Sequence, residues 1–394
     1  MEAVGPAGSA SVATSTTQEE QQHSEGQGDD LFRERGQVFY YPWYDNPEHN
    51  KDKAYLHWNH DVLANPYQQG SVNGDPYIGA NFYPQLGCYS SIDRAVIRQH
   101  MAMIRKAGLG VITVSWYPPA YSDGQIQSNP GFSDSTLTSL LDIAHEHGVK
   151  VNLHIEPYKD RSEKSVAGDI RYVIVRRASG LLPHHRTKLP MFYVYDSYLT
   201  EYRKWAKVLG SPSEHPDSIR GTKYDAMVIA LFVGAEDYQR IPQGRFDGVY
   251  TYFATNGFTH GSTTANWARL ASWAEQHGMI FIPSIGPGYE DTRIRPWNAK
   301  NSRSREEGKY YERMMSAAFN LDKVPEVISI TSWNEWHEGT QIEPAVAKVV
   351  KAVDGQWPEY AYMDYAPHEP DHYLSLTHQW MAKFAAKWRS VRSV

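Results

Sequence analysis

From Gln37 to the end of the chain, short apolar runs alternate with amphipathic segments. The apolar runs are rich in β-branched and aromatic residues, and they have the length of about four to eight residues that is typical of buried strands. The pattern predicts strands at 37–43, 110–116, 150–156, 191–195, 226–232, 247–252, 279–285 and 326–332.

The segments between these runs carry apolar residues at helical spacing. Gly108, Gly148 and Gly278 each come just before a predicted strand, where a helix C-cap is expected. The pattern predicts helices at 93–106, 133–147, 165–175, 200–208, 235–241, 264–276, 305–320 and 372–389.

Eight strand–helix pairs in this order predict an α/β fold with a single (β/α)8 TIM barrel. In that fold the catalytic groups gather at the carboxyl ends of the strands. Those ends are rich in acidic and aromatic residues here, whereas the amino ends are ordinary. Two long loops, from Tyr44 to Ile92 and from Pro287 to Ser304, are expected on the catalytic face, and Ala120 to Asn129 is predicted to act as a lid.

Residues 1–36 differ from the rest of the chain, because they are rich in Ser, Thr, Gln, Glu and Gly and poor in large apolar groups. Such a segment buries too little surface to offset its ordering entropy, so disorder is predicted. No second linker appears, and residues 37–394 are predicted to form one folded domain.

Composition excludes several classes of function. The net charge is −6 without a basic block, which argues against nucleic acid as a partner. Cys88 is the only cysteine, so neither an intrachain disulfide nor a cysteine zinc site is expected. The longest apolar run, from Ala226 to Val233, is too short for a bilayer span, and Met1 to Ala10 do not have the pattern of a signal peptide. We therefore expect no membrane anchor in this chain.

Two carboxylates three residues apart, Glu335 and Glu338, follow the last predicted strand and lie among Trp333 and Trp336. Sugar-cleaving sites are built from two acids of this kind, one protonating the leaving oxygen and the other activating the attacking group. A solvated helix face is the ordinary alternative for such spacing, but the preceding strand and the tryptophans argue against it.

Two other kinds of site are weaker alternatives. His57 and His60 have metal-ligand spacing, but no carboxylate or cysteine cluster is near them in sequence, so histidines of the core are favoured and no metal is expected. Gly286-Pro-Gly288 suggests a phosphate site of a barrel, yet the neighbouring acids would repel an anion.

Longer motifs from about residue 38 to about residue 388 resemble glycoside hydrolase family 99, the endo-α-1,2-mannosidases. The resemblance rests on the following stretches, in chain order: Tyr41-Pro-Trp-Tyr44, Leu56-His-Trp-Asn-His60, Phe82-Tyr-Pro84, Tyr89-Ser-Ser91, Ser115-Trp-Tyr-Pro-Pro119, His154-Ile-Glu-Pro-Tyr158, 192–198, 246–258, 283–289, Ile294-Arg-Pro-Trp-Asn298 and 334–343. The chain departs from the family pattern at Arg176 to Lys188, where a shorter segment with His184-His185, interpreted as a surface loop, replaces an aromatic strand-like one.

The resemblance implies a retaining hydrolase without metal or cofactor that cleaves inside high-mannose N-glycans of glycoproteins, including glucosylated ones, in the Golgi lumen. It implies that the acid matching Glu335 takes the proton of the substrate 2-hydroxyl, which attacks its own anomeric carbon to give a 1,2-anhydro sugar. The acid matching Glu338 protonates the departing oxygen and then deprotonates water. The residues alone fit equally well a route in which one carboxylate bonds to the sugar.

The remaining site predictions concern the substrate. Stacking or hydrogen-bonding side chains are predicted at the strand ends and in the two loops: Tyr44, Trp116, Tyr117, Glu156, Tyr195, Tyr252, Arg295, Asn334 and Trp336. A structural salt bridge is the alternative for Glu156, and bracing of the barrel rim is the alternative for Tyr195. The alternative for the whole chain is a catalytically inactive barrel that binds mannose glycans.

Overall fold

The computed structural model describes residues 32–392, except 50–52, 61, 64–70, 73–74, 120–133, 178–180, 182, 185–186 and 353–357. The predicted disorder of residues 1–31 and the predicted lid from Ala120 to Asn129 lie outside the described residues.

Parallel strands form one continuous sheet, and their positions confirm the predicted ones. The strands are β1 Gly36–Tyr40, β2 Val111–Trp116, β3 Lys150–Ile155, β4 Met191–Val194, β5 Met227–Leu231, β6 Gly248–Tyr250, β7 in two segments, Ile280–Ile282 and Ser284–Ile285, and β8 Ile328–Ile330. Each strand pairs with the next, and β1 pairs with both β2 and β8.

The two segments of β7 close the sheet into a barrel. The first segment pairs with β6, with Ile282 opposite Tyr250, and the second pairs with β8, with Ser284 opposite Ser329. The sequence pattern predicts one unbroken strand here, but Pro283 lies between the segments. Since proline has no N–H to donate to a ladder, the strand changes partner at this residue.

The helices that follow the strands pack around this barrel, as predicted for a (β/α)8 fold. They are α1 Arg94–Lys106, α2 Asp134–Glu146, α3 Glu163–Arg177, α4 Tyr202–Leu209, α5 Asp237–Arg240, α6 Trp267–Gln276, α7 Lys309–Phe319 and α8 His372–Arg392. No helix among the described residues is both long and apolar enough to span a membrane.

Local chemistry explains the ends of α1. The side chain of Asp93 caps its first turn by accepting a hydrogen bond from the backbone N–H of Ala95 at 2.8 Å. Gly108 follows the last turn with φ +78°, a conformation that L-residues with a side chain rarely adopt. Between these ends the helix buries Ile97, Met101 and Ile104 against the barrel.

The interior of the barrel contains a buried polar cluster at its first layer. Oε1 of Gln37 in β1 accepts hydrogen bonds from Asn152 of β3 at 2.8 Å and from the Tyr193 hydroxyl of β4 at 2.7 Å. All three side chains are fully buried, and their mutual bonds offset the desolvation of these groups. The cluster links non-adjacent strands through the centre of the barrel.

The folded part begins earlier than Gln37, so the predicted boundary at residue 36 is wrong. Phe32 is buried in the core, the Arg35 guanidinium lies 5.3 Å from the ring centroid of Trp388, and Gly36 starts β1. Packing against α8 provides the burial that composition alone does not predict.

The segment that departs from the family pattern also packs against the barrel. Leu181 is buried and bridges Val151 of β3, and Pro183 bridges Pro190 just before β4. His184 is 3% exposed, so its interpretation as a surface residue is wrong, while His185 lies outside the described residues.

The two long loops meet on the carboxyl face of the barrel, as predicted. Arg293 of the second loop lies between the rings of Tyr77 and Tyr360, with its Cζ at 4.1 and 3.5 Å from their centroids. Its Nε donates a hydrogen bond to the carbonyl of Ile78 at 3.0 Å. These contacts hold the loop after β1 against the loop after β7, beside the strand ends.

Candidate active site

A cleft opens at the carboxyl ends of the barrel strands. Its walls are aromatic and several of its polar groups are ionisable, which is typical of a small-molecule binding or active site. The residues that line it are Tyr41, Trp43, His57, Tyr117, His154, Glu156, Pro157, Tyr195, Tyr252, Arg295, Glu335, His337 and Glu338.

A tight turn after β8 brings the two predicted acids into the cleft. Glu335 caps the short 3-10 helix Trp336–Glu338, and its Oε1 accepts a hydrogen bond from the backbone N–H of His337 at 3.1 Å. Its own N–H donates to Oγ of Ser332 at 2.8 Å. The turn therefore fixes the Glu335 carboxyl group and carries Glu338 in the same short stretch of chain.

Gly339 ends this turn, and only glycine suits its place. Its φ is +60°, and a Cβ built on it would lie 2.6 Å from the carbonyl oxygen of Glu290. The backbone of Glu290 approaches so closely because its N–H donates to the carbonyl of Glu338 at 2.8 Å. The loop after β7 is thereby locked to the turn that carries the acids.

The two carboxyl groups share an electrostatic environment that disfavours double ionisation. Burial raises the pKa of Glu335 well above its usual value, and the charge of Glu338 raises it further. Burial also raises the pKa of Glu338, to about 7. Since each shift favours a protonated acid, the pair retains one proton near neutral pH. The backbone donor of His337 favours the charge on Glu335.

Arg295 provides the positive charge that offsets these acids. Burial lowers its pKa, but the charges of Glu338 and Glu335 outweigh that effect, so the net shift of its pKa is upward. Its Nη1 lies 3.3 Å from Oδ2 of the fully buried Asp291. Asp291 also accepts hydrogen bonds from Tyr289 and Asn298, at 2.8 Å each, so the arginine is oriented by a rigid anchor.

Two tyrosine hydroxyls meet at one wall of the cleft. The hydroxyls of Tyr41, after β1, and Tyr252, after β6, hydrogen-bond to each other. Tyr252 has φ +50°, which is uncommon for a residue with a side chain. Its N–H donates to Oγ of Ser284 at 2.7 Å, and this bond supports the unusual backbone. Strain held in this way is characteristic of functional positions.

Glu156 lies at the end of β3 and is oriented by groups on the barrel. Its Oε1 accepts a hydrogen bond from Oγ of Ser115 at 2.8 Å and lies 2.9 Å from Nδ1 of His154. Nε2 of His154 is 2.7 Å from the hydroxyl of Tyr250. Glu156 thus lines the cleft and is also held by buried side chains of the barrel, and its role in binding substrate stays a prediction.

The structure brings most of the predicted site residues together. Seven of them line the one cleft, and the roles assigned to them stay predictions: Tyr117, Glu156, Tyr195, Tyr252, Arg295, Glu335 and Glu338. Residues as distant in sequence as Tyr117 and Glu338 meet there because the carboxyl ends of parallel strands share one face of the barrel.

Four predicted substrate-binding residues lie behind the cleft wall instead. Tyr44, Trp116, Asn334 and Trp336 are at most 3% exposed and do not line the cleft. Asn334 is occupied by the backbone of Tyr41, since its Oδ1 accepts from that N–H at 2.7 Å and its Nδ2 donates to that carbonyl at 2.9 Å. The polar groups of Asn334 are thus used within the protein, and the substrate contacts predicted for these four residues stay predictions.

Tyr44 and Trp336 support the same turn. The Tyr44 hydroxyl donates to the carbonyl of Asn334 at 2.9 Å and lies 3.1 Å from the backbone nitrogen of Trp336. A strand end brings such residues to the correct face, but only the packing decides which of them point inward.

Sequence reasoning did not assign a site role to six of the cleft residues. These are Tyr41, Trp43, His57, His154, Pro157 and His337. His57 comes from the long first loop and stacks on Trp43, with centroids 4.4 Å apart. Strand-end position was a usable signal for Tyr41, Trp43 and His154, whereas the path of the loop that brings in His57 has no signature in the sequence.

The histidines of the cleft are not arranged as metal ligands. Within the described ranges, no group of three or more His, Cys, Asp or Glu residues has a geometry that could hold a metal ion. Burial lowers the pKa of His337 to about 3 and holds that of His57 well below its usual value. Both rings are therefore neutral beside the acids.

Known proteins of one family resemble this chain along most of its length. The family model described as "Glycosyl hydrolase family 99" matches residues 32–386. The "Glycoprotein endo-alpha-1,2-mannosidase" of Rattus norvegicus is 46% identical over 360 residues, which are 88% of this chain and 74% of that protein. The "Glycoprotein endo-alpha-1,2-mannosidase-like protein" of Homo sapiens is 42% identical over 359 residues, 88% of this chain and 75% of that protein.

Solved structures give the same result. The GH99 endo-alpha-mannosidase from Bacteroides thetaiotaomicron matches with a TM-score of 0.77 and 41% sequence identity, covering 89% of this chain and 97% of that one. A structure of the same bacterial enzyme with bis-tris-propane matches equally well, with a TM-score of 0.77.

Proposed function

This chain belongs to glycosyl hydrolase family 99, and from that premise we propose that it is an endo-acting α-1,2-mannosidase of glycoprotein glycans. The observation that carries the proposal is the pair Glu335 and Glu338 in one aromatic cleft at the carboxyl face of a (β/α)8 barrel. Relatives that bear the name of this activity are 46% identical to the chain over 360 aligned residues.

The proposed reaction retains the anomeric configuration through two inversions. Glu335 removes the proton of the 2-hydroxyl of the mannose at the cleavage point, and that oxygen attacks its own anomeric carbon as the glycosidic bond breaks. Glu338 gives its proton to the departing oxygen. In the second step, Glu338 deprotonates a water that opens the 1,2-anhydro sugar at the anomeric carbon, and the 2-oxygen recovers a proton from Glu335.

The electrostatics of the cleft support a pair that shares one proton, and the hydrogen bond from the His337 amide supports Glu335 as the base. One proton on the pair is what the first step requires, because one acid accepts a proton while the other donates one. The amide of His337 favours the charge on Glu335, which is the proposed base. In an α-mannoside the axial 2-hydroxyl lies opposite the leaving group, so the attack is in line.

The alternative route has Glu335 itself as the nucleophile that forms a glycosyl-enzyme. A substrate in which the reacting mannose lacks its 2-hydroxyl separates the two routes. Participation by that oxygen predicts no turnover of the 2-deoxy substrate and no modified protein. A covalent route predicts that the mass of the protein increases by that of the bound sugar.

Other cleft residues are proposed to bind the sugar. Arg295 balances the charge of the acids, and the Tyr41–Tyr252 pair lies against the reacting ring with its hydroxyls on the cleft wall. Glu156 accepts hydrogen bonds from sugar hydroxyls, and Tyr117 stacks on the sugar before the cleavage point. A tyrosine at this last position favours a glucose-capped branch.

The test is release of a disaccharide. Purified chain is incubated with glucosylated high-mannose glycan and, separately, with unglucosylated glycan, and the products are separated by chromatography. Glucosyl-mannose from the first substrate supports the proposal. Glycan binding without release points to an inactive glycan-binding barrel instead. We also propose the Golgi lumen as the site of action, and co-localisation of the tagged protein with a Golgi marker tests this.

A further inference from the structure

A buried acid outside the cleft, Glu343, lies beneath the turn that carries the proposed catalytic pair. Its side chain is fully buried, as is that of His100 on α1. Oε1 of Glu343 lies 3.1 Å from Nε2 of His100, and Oε2 accepts a hydrogen bond from the hydroxyl of Tyr89 at 2.8 Å. An isolated carboxylate at such a position would be strongly unfavourable, so these partners are required for its burial.

The hydroxyl of Tyr89 connects Glu343 to the turn. It lies 3.1 Å from Nδ2 of Asn334 and 3.2 Å from Nε1 of Trp336, the two neighbours of Glu335 in the chain. A hydroxyl has one proton and two lone pairs. Asn334 Nδ2 and Trp336 Nε1 can only donate, so the Tyr89 hydroxyl accepts from both of them with its lone pairs. Its proton is then donated to the Glu343 carboxylate.

The other end of the network is anchored on the barrel. Nδ1 of His100 lies 3.0 Å from the hydroxyl of Tyr40, the last residue of β1. The network therefore joins β1, α1, the first long loop and the turn after β8. None of Tyr40, Tyr89, His100 and Glu343 lines the cleft, so none of them touches substrate there.

We infer that Glu343 is a positioning residue, which acts through the Tyr89 hydroxyl to hold Asn334 and Trp336 and thereby orient the Glu335 carboxylate. The inference rests on the proposed function, because it assigns Glu335 as the base. A proton acceptor that is misplaced by about 1 Å loses about 100-fold in rate, so small displacements of the turn should appear in kcat.

Tyr89→Phe tests this link by removing a single oxygen atom. We expect kcat to fall by at least about tenfold with KM within about threefold of wild type, because binding groups of the cleft remain in place. Tyr311→Phe is the matched control, since its buried hydroxyl hydrogen-bonds to Thr377 Oγ1 at 2.9 Å, between α7 and α8 and away from the cleft. The two variants should lose similar thermal stability, yet only Tyr89→Phe should lose kcat.

Replacements of Glu343 test whether it acts through Tyr89. Glu343→Met has similar length without an acceptor and should lose kcat as Tyr89→Phe does. Glu343→Gln should keep most of the wild-type kcat, because its amide oxygen can accept a hydrogen bond from Tyr89 while its NH₂ group faces His100. In the double variant Tyr89→Phe/Glu343→Met, the two losses should not add, as residues on one pathway are coupled.

Three results would overturn the inference. The first is a kcat of Tyr89→Phe within twofold of that of Tyr311→Phe, and the second is a wild-type kcat in Glu343→Met. The third is a double variant whose fold-loss in kcat equals the product of the two single losses. If Tyr89→Phe does not fold, the comparison of Glu343→Gln with Glu343→Met decides alone. All assays use release of disaccharide by the full chain. An inactive wild type refutes the proposed function, and an active wild type with unaffected variants refutes only the role of Glu343.

Discussion

The backbone amide of His337 donates a hydrogen bond to Oε1 of Glu335, two residues before it, at 3.1 Å. His337 lies within the same 3-10 helix as Glu338, so this contact ties the orientation of one acid to the segment that carries the other. The bond uses a backbone donor and is independent of the charge of the acceptor, since an amide oxygen can take the same place.

Glu335→Gln should therefore remain folded and lose activity. The glutamine oxygen accepts the His337 N–H, but it cannot remove a proton from substrate, and loss of such a group reduces rates by about 100- to 10,000-fold. Disaccharide release and thermal unfolding measure the two effects. Glu312→Gln, at an exposed position on α7, is the control and should keep full activity. Turnover of Glu335→Gln near that of wild type would contradict its role as the base.

The pH dependence should follow the raised pKa of Glu338. Burial raises this pKa to about 7, so the carboxyl is protonated below pH 7 and ionised above it. As the general acid it is active only with its proton, and kcat/KM should fall about tenfold per pH unit above pH 7. Initial rates from pH 5.5 to 8.5 provide the measurement. A level profile up to pH 8.5 would exclude Glu338 as the acid.

The same shift predicts that Glu338 destabilises the fold at high pH. Its pKa is higher in the folded chain than in the unfolded one, so the folded state binds more protons between about pH 4.5 and 7 and the free energy of unfolding falls across this range. Glu338→Gln removes this dependence. The free energy of unfolding of this variant, relative to that of wild type, should therefore be higher at pH 8 than at pH 5. The difference should be at most about 3 kcal/mol, because each unit of difference in pKa corresponds to about 1.4 kcal/mol. Denaturant unfolding at both pH values checks the sign, and equal gains would contradict it.

Arg295→Gln should move the whole pH profile upward. The positive charge of Arg295 lowers the pKa of both Glu335 and Glu338. Without it both acids retain protons to higher pH, so activity should be lost more at pH 5.5 than at pH 8. Arg203→Gln removes an exposed guanidinium on α4 and should leave the profile unchanged. A uniform loss at all pH values would show that Arg295 acts only in binding.

Asn334→Ala should act on stability as well as on activity. Its side chain bonds both backbone groups of Tyr41, and the substitution leaves that N–H and that carbonyl unpaired in the interior. Unpaired buried groups lower the free energy of unfolding, here by about 2 to 4 kcal/mol. Asn320→Ala, at an exposed position, should change it by less than about 0.5 kcal/mol. Equal midpoints in urea for the two variants would refute this structural role.

Strand and helix positions could be predicted because each depends on the residues of one short stretch of chain. The run 326–332 is apolar, and the acids follow it directly, so the place of Glu335 at a strand end needed only the pattern and the barrel hypothesis. Residues at strand ends that line the cleft, among them Glu156 and Tyr252, could be predicted for the same reason. By contrast, Tyr44 and Asn334 have the right position along the chain, but their polar groups are used inside the protein.

The sequence itself determined the order of strands and helices and the position of Glu335 and Glu338 after the last strand. Periodicity and turn residues act over a few positions, so such features can be predicted from local stretches. Only the tertiary structure decided that His57 enters the cleft, that Asn334 holds Tyr41 and that Glu343 lies beneath the turn after β8. Those contacts join residues up to 293 positions apart, and their formation depends on how complete side chains fill and hydrogen-bond within a shared interior.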